Sequence, residues 1–392
     1  MKEKYDIIVV GSGPTGSMAA LEAAKAGCTV CILEKTKEVG SPVRCGEAVG
    51  YSGLTQFMQP KKEWIASTIK SIQLVSPNNT SVDINFNLET GYILNRNVFD
   101  SDLSKMAVDA GAEIYTRAYV EGLIISDGFI KGVHFNFHGK KIKLLSNIVI
   151  GADGIDSRIG RWAGLKTFVK MRDMESCIQY YVENLDVDQE QMRMYVGSKF
   201  APGGYLWIFP KGNKAANIGL GISGKYSKEK SAKRYLDDFI NNNFPNALIV
   251  SSVCGGVPCP KPMSSPIENG LMLAGDAAHQ INPMTGGGII SGMKAGMIAG
   301  GVASEAIKKK DFSKKFFEKY PRKMFKDFGR NYERFYKIKT AVNQLNDNDL
   351  NMIAESVITT PINKRSIGTV FKKAIFKKPS LLIDVIKLFS GF

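Results

Sequence analysis

Short, uninterrupted apolar runs recur along the chain, each leading into a glycine-rich turn. Asp6 to Val10 (DIIVV), Asn147 to Ile150 and Gly270 to Ala274 (GLMLA) have the continuous hydrophobicity of strands buried on both faces of a parallel sheet. The first runs into GSGPTG and an Ala-rich helical stretch, Ser17 to Ala26, stopped by Gly27. A further strand, Cys28 to Leu33, ends in Glu34. Elsewhere the period changes. Tyr205, Trp207 and Phe209 alternate in GYLWIFPKG, the two-residue period of a strand presenting one face. After Pro321 the period is helical, through Phe325, Phe328, Tyr332, Phe335 and Tyr336, then Ile367, Val370, Phe371, Ala374 and Ile375. Pro379 breaks that helix, and Leu382, Val385, Ile386 and Phe389 begin another stripe. Gly286 to Ile307 is long and nearly uncharged, but its glycines and mid-span Lys294 predict a buried helix rather than a membrane span.

The first strand–turn–helix–strand has a complete physical logic. GSGPTG matches G-x-G-x-x-G at Gly11, Gly13 and Gly16. Gly11 permits the tight turn, Gly13 lets the backbone approach a pyrophosphate, and Gly16 allows the helix to pack closely on the strand. The helix N-terminus faces the phosphate charge. Glu34, 18 residues after Gly16, can accept hydrogen bonds from ribose hydroxyls. The unit by itself does not choose between NAD and FAD.

Two later segments make that choice by resemblance. GADGIDSRIGRWAG, after the strand ending at Ile150, resembles the D-G segment of the flavoprotein hydroxylase superfamily typified by p-hydroxybenzoate hydroxylase. GDAAHQINPMTGGGIISG, after Ala274, resembles its G-D segment. The resemblance implies FAD as cofactor, with Asp276 on a ribityl hydroxyl and the backbone of Gly286, Gly287, Gly288 and Ile289 at the flavin ring. Glycines opening a long helix suit that place, because exposed N–H groups stabilise negative charge on a reduced flavin. The superfamily also implies Arg96, in YILNRNVFD where a strand gives way to a helix, and Val120 near the cofactor. Thr15 stands where many relatives carry a small residue, and it still fits the loop and is expected to bind the cofactor with it.

SPVRCGEAVG, residues Ser41 to Gly50, and GYLWIFPKG, residues Gly204 to Gly212, narrow the resemblance. Together they are similar to the geranylgeranyl reductase family, particularly the archaeal digeranylgeranylglycerophospholipid reductases, over about residues 5 to 340. The resemblance places Cys45, Gly46 and Ala48 at the flavin. Cys45 could donate a proton, shield the ring or fill space, and Arg44 could offset charge on flavin or phosphate or form a surface ion pair. Tyr205, Trp207 and Phe209 would form an apolar wall for an isoprenoid chain, or pack the core of their sheet. The expected fold is α/β, a Rossmann-like FAD-binding domain interleaved with a mixed or antiparallel-sheet substrate domain, plus a helical C-terminal region. The expected segments are 1–75 and 76–165 for the first two FAD-binding parts, 166–265 for the substrate sheet, 266–310 for the third FAD-binding part, and 311–392 for the basic helices.

Charge adds a surface to this picture. The net charge is +15, and residues 308–392 hold 20 Lys/Arg against 8 Asp/Glu, so most of the excess sits at one end. A basic, amphipathic end on a near-neutral body suggests an anionic membrane surface as partner. Nucleic acid is not expected, since no binding module is recognisable. Six cysteines over 392 residues make no disulfide framework, and the first strand begins too early for a basic-then-apolar leader, so the expected place is the cytoplasm, peripheral on the inner membrane face. Cys254 and Cys259 bracket GGVP and could form a local disulfide or redox pair or stay as reduced thiols, Cys28 and Cys31 and the three histidines (His134, His138, His279) have ordinary structural explanations, and no metal is expected.

The expected activity is FAD-dependent reduction of C=C bonds in geranylgeranyl chains of an ether lipid precursor, with electrons from an external nicotinamide or ferredoxin-like donor. Alternatives from the same residues are a flavin monooxygenase and a flavin-containing lipid-binding or electron-carrying protein. The plant-type branch of the family, acting on chlorophyll or prenyl diphosphate, also remains open.

Overall fold

Strands apolar on both faces need cover on both sides, and one of the molecule's two compact units is built to give it. The computed structural model describes residues 2–86, 90–366, 368–370 and 373. The first unit comprises residues 1–43, 96–169 and 258–333, and the second 44–95, 170–257 and 334–392. The chain thus changes unit after Val43, Asn95, Val169, Val257 and Glu333, whereas the sequence placed segment boundaries after residues 75, 165, 265 and 310.

In the first unit, Lys4–Val10 lies at the middle of a sheet, parallel to Val30–Leu33 on one side and to Lys140–Gly151 on the other. Glu113–Tyr115 and Leu271–Leu273 extend it in parallel, and Ile267–Glu268 closes one edge in the antiparallel sense. Lys140–Gly151 serves twice. Its early residues run antiparallel to Phe129–Phe137, which pairs in turn with Ala118–Ser126, so a meander grows from the same sheet. His134 and His138 lie in this hairpin, His138 at its turn with φ +50.

The helix Pro14–Lys25 follows the glycine loop, and the long helix Ile289–Lys309 packs against it. Their contact explains the glycine content of the long helix. A Cβ on Gly296 would stand 2.0 Å from the Thr15 carbonyl oxygen, and one on Gly300 2.4 Å from that of Ala19. Only glycine lets the two backbones come this close. Lys294, the charge that argued against a membrane span, pairs with Asp327 at 2.9 Å. Among the described residues no helix is long and apolar enough to cross a membrane.

The second unit has a seven-stranded sheet in the order Leu248–Pro258, Met174–Glu183, Ala215–Ser223, Tyr205–Gly212, Gln191–Val196, Ser71–Val75, Ser81–Asn85. One of its faces is covered by the helix Ala232–Asn243, whose Leu236, Phe239 and Ile240 meet Leu206, Ile208, Ile218 and Leu220. On the opposite face Trp207, Phe209 and Met192 meet Ile69 and Ile93 of a three-stranded sheet made of Ala48–Gly50, Gly91–Leu94 and Ile65–Ile69. The helix Asp347–Ile358, with an Asn346/Asp349 capping box, packs on Val82 and Ile84.

The aromatic stripe after Pro321 is helical but not uniform. A π-turn over Phe325–Gly329 precedes the helix Arg330–Val342, leaving Phe325 exposed while Phe328, Tyr332, Phe335 and Tyr336 are half-buried. The later stripes through Ile367, Phe371, Ala374, Ile375, Leu382, Val385, Ile386 and Phe389 lie outside the described residues.

Candidate functional site

In the first unit a cavity opens where Lys4–Val10 gives way to the glycine loop, lined by Gly11, Gly13, Glu34, Val120, Asp153 and Trp162 among others. The loop is compact because its glycines allow it. A Cβ on Gly16 would fall 1.9 Å from the Gly11 carbonyl oxygen, while Gly13 has no atom within 4 Å of that position, leaving its backbone open to a ligand. Glu34 is buried and more committed than its place after the strand suggested. Its Oε2 accepts from Ser12 N–H and Ser12 Oγ, both at 2.9 Å, and its Oε1 from Thr36 N–H and Oγ1, both at 2.8 Å. A ribose hydroxyl would therefore share this carboxylate with the loop that it braces. Asp153, in the D-G segment, was not singled out from the sequence. Its Oδ2 accepts from Ile159 N–H, but Oδ1 is buried without a hydrogen-bond partner, and burial pushes the carboxyl's pKa up. An open glycine backbone, an acidic side chain at the second strand and an orphan buried acceptor fit a bound dinucleotide.

Thr15 packs against Gly275 and Gly292. Cβ atoms built on Gly275 and Gly292 would each lie 2.4 Å from its Oγ1, so its side chain fills the space those glycines leave beside the long helix. Asp276 has its carboxyl pushed above the usual range by burial, with the Arg96 charge pulling the other way. Arg96 is clamped by Asp100 through two bonds of 2.7 and 2.6 Å, which fixes the direction of its guanidinium. In the glycine run, Gly286 N–H donates to Asn282 O and Gly287 N–H to Thr285 Oγ1. The first long-helix bond is Gly292 N–H to Gly288 O, so amides from Gly288 through Ser291 have no acceptor in the preceding turn of the helix. Open amides thus sit at Gly288 and Ile289, not at all four expected positions.

In the second unit the three aromatics do share one sheet face. Trp207 stacks on Phe209 with centroids 6.1 Å apart and meets Tyr205 edge-on at 5.8 Å. Gln179, Gly219, Trp207 and Met194 lie in register across four strands, with Cys177, Gly221 and Tyr205 in the next row. Gly219 makes room for the indole, since a Cβ there would be 2.5 Å from Trp207 Cζ2. Trp207 and Phe209 are buried in the cluster with Ile69 and Ile93, while Tyr205, Cys177 and Met194 remain half-buried. Trp207 and Phe209 thus pack the core of their sheet, one of the two expectations for this row.

The segment around Cys45 belongs to the same unit. Arg44 is exposed and Cys45 half-buried. Gly46 packs against an aromatic, since a Cβ there would be 2.8 Å from Phe209 Cε2, and Ala48 opens the strand Ala48–Gly50 against the same cluster. Four residues joined to this segment escaped the sequence reading. Gln179 Nε2 donates to Cys45 O at 3.0 Å, and Gln179 Oε1 accepts from Trp207 Nε1 at 3.0 Å. Glu47 is buried and accepts from Lys211 Nζ at 2.8 Å and Asn217 Nδ2 at 2.6 Å. The available signal was an unexplained charge in each motif, Glu47 in SPVRCGEAVG and Lys211 in GYLWIFPKG.

The remaining candidates are structural. His279, its pKa lowered by burial, bonds through Nε2 to Thr167 O. Burial pushes the Cys31 thiol up to about 12 and raises that of Cys28, while Cys254 is exposed and Cys259 buried.

Known proteins resemble this chain over nearly its whole length. Residues 6–62 match the FAD binding domain family model, and residues 173–257 match that of the geranylgeranyl reductase catalytic domain. A digeranylgeranylglycerophospholipid reductase of Methanococcoides burtonii is 42% identical over 98% of this chain and 94% of its own length. One of Methanocella arvoryzae is 39% identical over 99% of this chain and 100% of its own. The crystal structure of a geranylgeranyl bacteriochlorophyll reductase-like protein from Thermoplasma acidophilum superposes with a TM-score of 0.93, at 35% identity, over 98% of this chain and 99% of that one. With the dinucleotide cavity in one unit and the aromatic row in the other, this chain is an FAD-dependent oxidoreductase and belongs to the family of the digeranylgeranylglycerophospholipid reductases.

Proposed function

We propose that this chain saturates C=C bonds in the geranylgeranyl chains of an archaeal-type ether phospholipid precursor, with reduced FAD as the hydride source. The names of the curated relatives support that substrate class. The observation that carries it is the row of Tyr205, Trp207 and Phe209, within the segment that matches the catalytic-domain family model. An isoprenoid chain has no polar group along its length, so only buried apolar area, at about 25 cal/mol per Å², can hold it.

Bound FAD supplies the hydride chemistry, and the protein supplies orientation, a dry surface and a proton. Gly11, Gly13, Gly16, Glu34 and Val120 hold the adenosine and pyrophosphate end, with Thr15 packed against Gly275 and Gly292. Asp276, Arg96, Gly286, Gly287, Gly288 and Ile289 would serve the flavin end, and Arg44, Cys45, Gly46 and Ala48 would serve the flavin ring. An isolated trisubstituted alkene has no carbonyl to take up charge, so a proton must reach one carbon as hydride adds to the other. Cys45 Sγ is the residue of this chain best suited to hold that proton, and an ordered water is its rival. Electrons come from an external nicotinamide or ferredoxin-like donor. The basic C-terminal region rests on an anionic membrane surface, so that the protein works as a cytoplasmic, peripheral enzyme on the inner face.

The test is a single turnover under argon, with prereduced protein mixed with unsaturated ether lipid. Each bond saturated adds about 2 Da to the lipid as the flavin reoxidises. An oxygen-dependent gain of about 16 Da, as a monooxygenase would give, or an unchanged lipid with flavin still reduced, would sink the proposal.

A further inference from the structure

Glu47 is a costly residue to keep. It is buried, charged, and held at φ +72, where a residue with a side chain is disfavoured. A strained backbone of this kind persists only where its surroundings over-determine it. Here they do so from several directions within the second unit. Lys211 Nζ, 2.8 Å from Glu47 Oε2, also donates to Leu94 O at 2.6 Å and to Asn95 Oδ1 at 3.2 Å. Asn217 Nδ2 reaches the same carboxylate oxygen at 2.6 Å, and Leu94 N–H donates to Glu47 O at 2.9 Å.

The clamp ends on the thiol. Glu47 N–H donates to Cys45 Sγ at 3.2 Å, and Gln179 Nε2 donates to Cys45 O at 3.0 Å. Because Gln179 also accepts from Trp207 Nε1, the backbone of Cys45 is tied to the aromatic row by one side chain. Buried ion pairs are poor stabilisers compared with apolar residues of the same volume, and one good use for them is to fix geometry. We propose that Glu47, Lys211 and Asn217, together with Gln179, are positioning residues that fix the direction of the Cys45 thiol relative to the aromatic row. This rests on the proposed role of Cys45 in proton delivery.

The experiment reads the thiol directly in FAD-loaded protein. Iodoacetamide alkylation of Cys45 is followed by peptide mass spectrometry, with exposed Cys254 as internal standard. In K211M and Q179A the Cys45 to Cys254 rate ratio rises about fivefold or more as the segment loosens. On the prenyl lipid, kcat falls about tenfold while KM stays within about threefold, the signature of lost orientation rather than lost binding. K211M leaves a carboxylate buried without its cation, so if it does not fold, Q179A and the double variant E47Q/K211M decide, the latter leaving no unpaired charge. An unchanged alkylation ratio in those two variants would overturn the clamp. A C45S variant with full activity, beside an altered ratio in Q179A, would instead overturn the proton role and leave the clamp standing.

Discussion

Asp153 Oδ1 illustrates what one atom can carry. It is buried without a partner, and burial holds the pKa of its carboxyl above the ordinary value of 3.8. A carboxyl whose folded pKa is raised contributes stability that is complete below the unfolded pKa and lost as pH rises through the folded one. FAD-free protein carrying D153N should therefore melt higher than FAD-free wild type at pH 7, with the gap closing as pH falls through the folded pKa and gone below about 4, in thermal scans across pH. The same variant should bind FAD about tenfold or more weakly by flavin fluorescence titration, because its acceptor oxygen is replaced. Equal melting at pH 7 with unaltered FAD affinity would show that this oxygen is not reserved for a ligand. In the sequence Asp153 was one letter of a recognisable segment, and nothing local revealed that one of its oxygens lacks a donor. Glu47 is similar, since its partner Lys211 lies 164 residues away.

At the level of elements, the glycine loop and the strands around it were legible because their period and punctuation are local properties. The helix after the loop begins at Pro14 rather than Ser17, since proline is tolerated in a first helical turn. What could not be read was which helix would pack on it. Gly296 and Gly300 looked like a compositional argument against a membrane span, and they are in fact the contact surface for Thr15 and Ala19. Gly296→Ala should destabilise the protein by about 2 kcal/mol or more, because a backbone oxygen must move. Gly301→Ala, whose Cβ would be 4.0 Å from Glu22 Cγ, should be neutral or stabilising by up to about 1 kcal/mol. Urea unfolding of the FAD-loaded variants separates the two, and equal effects would contradict the close approach of the helices.

Over the whole molecule, the basic end is only partly a free surface. Lys314 pairs with Glu268, Lys319 and Lys323 with Glu305, and Lys339 is buried against Glu175. Four lysines beside the later apolar stripe test the membrane expectation, at about 1 kcal/mol for each one near an anionic surface. Replacing Lys372, Lys373, Lys377 and Lys378 together by Glu should abolish co-sedimentation with phosphatidylglycerol vesicles, and raised salt should weaken it in the wild type. Sedimentation that survives both would remove the electrostatic account. The sequence by itself determined the dinucleotide loop, the order of the FAD segments and the aromatic strand, because each depends on neighbours a few residues apart. Only the tertiary structure decided that Thr15 packs against Gly275 and Gly292, that the amides of Gly286 and Gly287 are already used, and that Gln179 and Glu47 bond Cys45 while Lys211 holds Glu47. Those outcomes depend on side chains brought together from distant parts of the chain, and no local pattern specifies them.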